Sequence, residues 1–182
     1  MGQLSEITEL SVIRTAWKHV FRSNDPFSWP FRSKVASGLI FYPTSGYHLT
    51  DQQFRAVLFA LKQTGEDGFF ISTVESEGLS FLDREWGHWA CDNPSYEDYL
   101  KLPLTLENAI YSKNGRWGVL ISHEMHALVG GSSDFISALS DRYRSYPDDL
   151  RLLRDAWAGN PNAGWLEPTI SRCVGSLGSS DS

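Results

Sequence analysis

Cysteine is scarce in this chain: Cys91 and Cys173 are the only two, they are far apart, and they form no C-x-x-C. That excludes the disulfide framework of a small secreted domain and a paired-thiol redox motif. Long apolar runs are also lacking. None approaches the ~18 residues that a membrane-spanning helix needs. The opening residues, MGQLSEITEL, do not have the basic-then-apolar layout of a signal peptide. Position 6 is Glu6, where a myristoylated Gly2 would call for Ser or Thr. These absences together lead to the expectation of a cytoplasmic protein with no membrane association.

Basic charge is missing from the middle of the chain. Residues 63–100 hold one Arg and nine Asp or Glu, a balance of −8, whereas residues 1–62 stand at +3 and residues 101–182 at −1. A net charge of −6 distributed in this way argues against nucleic acid, whose phosphates demand a basic footprint, and in favour of a basic protein partner. Catalytic signatures are absent too. The sequence has no G-x-S-x-G nucleophile elbow, no G-x-x-x-x-G-K-[ST] phosphate loop and no G-x-G-x-x-G after a strand, so no cofactor is expected.

The 182 residues, 41% of them hydrophobic, suffice for one ordinary core without metal or disulfide staples. Leu10, Ile13, Trp17, Val20 and Phe21 recur at helical spacing and predict a first helix from about Ser5, ending before Asp25-Pro26. GLIFY (38–42) reads as a strand. Thr50 and Gln53 form a T-x-x-Q capping box that opens a second helix, and GFFISTV (68–74) reads as another strand. The acidic stretch 81–100 reads as loop-rich. LENAIY, WGVLIS and MHALV predict a three-stranded meander, with Asn114-Gly115 as the first hairpin turn and Gly130-Gly131 as the break after it. Ser132 or Ser133 can cap a further helix, and Pro147 with Asp148 and Asp149 suits the first turn of another. The expected architecture is one α+β domain over residues 1–158: a mostly antiparallel sheet with a C-terminal three-stranded meander, packed by about four helices. Residues 159–182, rich in Gly, Ser and Pro, read as a loosely packed tail.

His123-Glu124-Met125-His126 looks at first like a zinc-hydrolase signature. In that motif the histidines stand four apart on a helix, so both rings share a face. Here they stand three apart between strand-like runs, where an extended chain sends them to opposite faces. The expected structure is a tight turn without metal. His88 and Cys91, with His123, Glu124 and His126, remain the candidate residues of an alternative reading: a small hydrolase or metal-dependent enzyme.

Residues 105–140 resemble a pattern recurrent in small bacterial α+β proteins. Ser112, Gly115, Arg116, Trp117 and Gly118 make an S-x-x-G-R-W-G turn into a strand, and Gly130, Gly131, Ser132 and Phe135 lead into a helix. Immunity proteins encoded beside polymorphic or contact-dependent toxins share this look. The resemblance implies a non-enzymatic protein that binds and occludes a cognate toxin, possessing no chemical signature of its own. The acidic middle supplies the expected contact residues: Asp83, Glu85, Trp86, Trp89, Tyr96, Glu97, Asp98 and Tyr99 combine rings with carboxylates and suit a basic, nuclease-like partner.

Overall fold

A computed structural model describes residues 3–35, 37–74 and 78–174. Seven strands form one antiparallel sheet: β1 (Gln3–Glu6), β2 (Ser37–Phe41), β3 (Gly68–Thr73), β4 (His88–Asp92), β5 (Asn108–Ser112), β6 (Trp117–Ile121) and β7 (Ala127–Gly131). Their order across the sheet is β1-β4-β3-β5-β6-β7-β2, and β5-β6-β7 is the expected meander. Four helices of ten or more residues cover it: α1 (Leu10–Val20), α2 (Asp51–Gln63), α4 (Ser133–Arg142) and α5 (Tyr146–Trp157). Two single-turn helices, α3 (Tyr96–Leu100) and α6 (Leu166–Ile170), bring the described total to six.

Alternation along the strands builds two cores. One face of the sheet, with Phe69, Ile71, Trp117, Val119 and Ile121, packs on Phe54, Val57 and Leu61 of α2 and on Phe135 and Leu139 of α4. The other, with Phe70, Tyr111, Leu120 and Leu128, packs on Ile13, Trp17 and Val20 of α1 and on Leu150 and Leu153 of α5. Covered on both faces, the central strands are buried throughout. Register also defines two ends. β4, β5 and β7 begin at what we term the upper end, where β1, β2, β3 and β6 finish; the β5–β6 hairpin turns at the lower end.

Local rules account for much of this. The Thr50 hydroxyl accepts from the Gln53 N–H, and the Gln53 side chain accepts from the Thr50 N–H, so the capping box forms in full. The Ser132 hydroxyl accepts from the Phe135 N–H and starts α4. Gly118 has no side chain because α1 lies against it: a Cβ there would stand 2.6 Å from Val20 Cγ1 and 2.7 Å from Phe21 Cζ.

Four expectations need correction. Residues 3–6 form a strand, and the first helix starts at Leu10; Leu4 turns inward beside β4 while Ser5 and Glu6 face water. The stretch 81–100 is not mainly loop, since His88–Asp92 is a strand between β1 and β3. Gly130-Gly131 does not break β7 but extends it, because bare backbone admits the rings of Phe31 and Phe135. Packing continues past residue 158: Leu166, Ile170 and Cys173 are buried, and residues 172–174 bond to Gly38 along the free edge of β2. The remainder of the expected loose tail, residues 175–182, lies outside the described residues.

Candidate interaction surface

The eight expected contact residues do not share one surface. Asp83, Glu85 and Trp86 precede β4 at the upper end, whereas Tyr96, Glu97, Asp98 and Tyr99 follow it at the lower end. Two of the rings face inward. Trp89 is buried against the α2 side of the sheet; Tyr99 is wholly buried, stacked on Phe54 at 4.4 Å, and its hydroxyl accepts from the Leu49 N–H. Neither can be a contact residue of the folded chain. Tyr96 is half-buried and donates to the Leu49 carbonyl at 3.0 Å. With Glu97 and Asp98 it lines a groove of about 500 Å³ against Phe54, Arg55, Leu58 and Lys62 of α2.

Folding also tempers the acidic middle. Asp83 pairs with Arg14 of α1 at 2.8 Å, Asp92 with Lys113 at 2.6 Å, and Asp98 with Lys101 at 2.8 Å. Glu66 is buried and accepts from the Ser112 hydroxyl at 2.7 Å, and burial raises its pKa. Cations from outside residues 63–100 thus offset part of the charge counted within it. Glu75 and Glu77 lie outside the described residues. Asp67, Glu85 and Glu97 are exposed with no ion pair among the described residues.

Trp86 is the clearest surface feature. It is 53% exposed, the most of any large apolar side chain described. Its ring is nevertheless supported: the Arg84 guanidinium lies 4.0 Å from the ring centroid, and Arg84 Nη2 donates to the Thr73 carbonyl at 3.0 Å. A cation over the ring and a tether to the end of β3 hold the indole without burying it. Arg84 had no sequence signal, because the bend at residues 85–87, not a strand's alternation, brings its guanidinium over Trp86.

Residues put forward for chemistry are placed separately. His88 is buried on the α1 side, between the Ser72 hydroxyl at 2.7 Å from Nδ1 and the Phe81 carbonyl at 3.1 Å from Nε2; burial lowers its pKa. Cys91 points to the opposite face, buried, with its thiol pKa driven up by desolvation. An odd spacing on one strand keeps the two apart. His123, Glu124 and Met125 form the turn between β6 and β7. His123 Nδ1 meets Glu107 Oε1 at 2.6 Å, while His126 turns inward, bonds the Pro26 carbonyl at 2.8 Å and stacks on Trp165 at 4.8 Å. Burial lowers the His126 pKa to about 4. Of the five candidates, His123 and Glu124 reach solvent. Among the described residues no three His, Cys, Asp or Glu side chains gather as a metal-holding group. Glu107 had no sequence signal, because register alone brings it to His123.

These features define a class by architecture: an α+β protein with a seven-stranded antiparallel sheet between two helical layers. In comparisons with known proteins, no family model, no curated protein and no solved structure matches the chain. No helix among the described residues is long and apolar enough to cross a membrane.

Proposed function

We propose that the chain is a non-enzymatic binding protein of the immunity type, which neutralises a cognate toxin in the cytoplasm by covering its working surface. The observation that carries this reading is Trp86. The ring stays half in water although Arg84, tethered to the Thr73 carbonyl, lies over it, and Asp83 and Glu85 come just before it in the chain. Exposed aromatics held ready on a rigid support are characteristic of residues that dominate protein–protein contacts, because little conformational freedom is lost on docking. The flanking carboxylates favour a basic partner, such as a nuclease-like domain. The S-x-x-G-R-W-G and G-G-S resemblance supports the same class.

The test is co-expression with the product of the adjacent gene. The wild-type chain should bind that product and protect cells from it; Trp86→Ala should lose protection while keeping its fold. A wild-type chain that neither binds nor protects overturns the reading.

A further inference from the structure

Trp86 is one of eight large apolar side chains exposed among the described residues. Four of the eight sit singly on four different helices: Val12 on α1, Phe59 on α2, Leu100 on α3 and Leu152 on α5. Scattered exposure of that kind is ordinary. The other four, Leu79, Trp86, Leu106 and Met125, all lie in connections at the upper end of the sheet. They come from three separate connections: β3–β4, α3–β5 and β6–β7. Sequence proximity therefore does not explain why all four lie at one end of the sheet.

Hydrogen bonds join these connections into one rim. The Thr73 N–H donates to the Gly87 carbonyl at 2.9 Å, and the Val74 N–H to the Glu107 carbonyl at 2.6 Å. Glu107 Oε1 takes the His123 N–H at 3.3 Å and meets its Nδ1 at 2.6 Å. The Met125 carbonyl accepts from the Thr44 N–H at 2.8 Å, which ties the β6–β7 turn to the chain leaving β2. From β4 to β6 there are three strand spacings, so the rim is ~15 Å across. That is the scale of the central cluster within a standard interface of ~800 Å² per partner. Exposed carboxylates interleave with the apolar groups: Glu6 ends β1, Asp83 and Glu85 flank Arg84, and Glu124 lies beside His123, whose other nitrogen meets the buried Glu107. The guanidiniums of Arg14 and Arg84 stand among them, the first held by Asp83, the second laid over Trp86.

We infer that this whole upper rim, from Leu79 and Trp86 across Leu106 to Met125, is the docking surface, and that its occupant is a protein with a basic face. The inference rests on the binding reading above and extends it from one tryptophan to three connections. The rim's apolar groups hold the complex once it has formed, and its carboxylates steer the encounter.

The experiment uses the full chain and, as probe, the catalytically silenced product of the adjacent gene, with association and dissociation followed over a salt series. The double variant Leu106→Ser/Met125→Asn removes two anchors remote from Trp86; Asn suits the left-handed backbone at Met125, where φ is +57°. Dissociation should quicken at least ~10-fold, as for loss of central anchors. Glu85→Gln/Glu124→Gln should slow association by roughly 10-fold at low salt and flatten its salt dependence. Phe59→Ser and Leu100→Ser, each on a helix away from the rim, should bind as wild type does. If both rim variants bind at wild-type rates while Trp86→Ala is impaired, the contact is confined to the Trp86 loop and this inference falls with the reading intact. If the wild-type chain does not bind the probe, the reading falls and this inference with it.

Discussion

At the lower end of the sheet Trp117 begins β6 with its ring wholly buried, stacked on Phe135 at 4.8 Å and within 2° of parallel. At the upper end Trp86 precedes β4 with about half its surface in water, touched by a guanidinium. Both residues adjoin a strand terminus, and both follow an arginine closely in sequence. They differ in what lies above them: α4 covers the first, and no described element covers the second. A tryptophan tied down by packing serves the fold. One held in place while still wet is what the proposed docking role requires.

Replacing the two in turn tests that contrast most severely. Trp117→Ala should destabilise the fold by about 3–5 kcal/mol, the range for a large buried aromatic. Trp86→Ala should shift stability by no more than ~0.5 kcal/mol, as for a surface substitution. Denaturant midpoints of the two variants decide it. Equal losses would mean that the upper tryptophan is also structural, and the comparison would collapse.

Acid sharpens the contrast by probing the upper end's buried side chains. His126 is neutral in the fold, with a pKa of about 4 against an ordinary 6.5, because burial disfavours the imidazolium. A depressed base contributes stability that is present above pH 6.5 and lost as pH falls toward 4, on the order of 3 kcal/mol by linkage. Asp149 acts with the opposite sign. It accepts from the Tyr42 N–H and the Tyr143 hydroxyl, yet desolvation raises its pKa to about 6. The protonated form is the one the fold favours, so this contribution is full below about pH 4 and is lost as pH rises through 6. The wild-type protein should show the two effects partly cancelling between pH 6 and 4. Stability of His126→Gln should rise as pH drops across that window, and that of Asp149→Asn should fall. Parallel pH profiles for the two variants would refute the assignment.

A smaller effect is expected where α1 meets β6. Gly118→Ala should cost about 1–3 kcal/mol, since the new methyl overlaps Val20 and Phe21 and both are fixed in the core. Thermal unfolding of this variant beside wild type measures it; an unchanged midpoint would mean that α1 can retreat.

Legibility in the sequence followed the range of the interactions. The capping box at Thr50, the hairpin at Gly115, the shared face of Trp117, Val119 and Ile121, and the cap at Ser132 depend on neighbours a few residues away, and all could be read directly. β1 could not, because four residues become a strand only when β4 offers its edge. Gly130 and Gly131 looked like a break, since the rings that need their bare backbone come from Phe31 and Phe135. The candidate surface was divided in the same way. Charge and aromatics concentrated in residues 81–100 suggested one patch, but β4 runs through the middle and sends its halves to opposite ends. Trp89 and Tyr99 were indistinguishable from Trp86 until the sheet showed which rings face inward. The Leu106–Met125 side of the rim had no sequence signal, because two connections distant in the chain supply it.

The ion pairs at the two ends should matter least to stability, and by the same amount. Arg14–Asp83 at the upper end and Lys113–Asp92 at the lower are short, 2.8 and 2.6 Å, but all four side chains are a third or more open to solvent, save Lys113 at 32%. Solvent screens such pairs, and holding long side chains in one geometry offsets much of the Coulomb attraction, so each is worth roughly 0–1 kcal/mol. Asp83→Asn and Asp92→Asn should therefore give unfolding midpoints close to wild type, with the small difference vanishing in high salt. The two variants should separate only when the adjacent gene product is present. If the rim is the docking surface, Asp83→Asn removes a charge that steers the partner and slows association at low salt, while Asp92→Asn, at the far end of β4, leaves that rate unchanged. Equal slowing in both would show that the partner responds to the net charge of the molecule and not to its upper end.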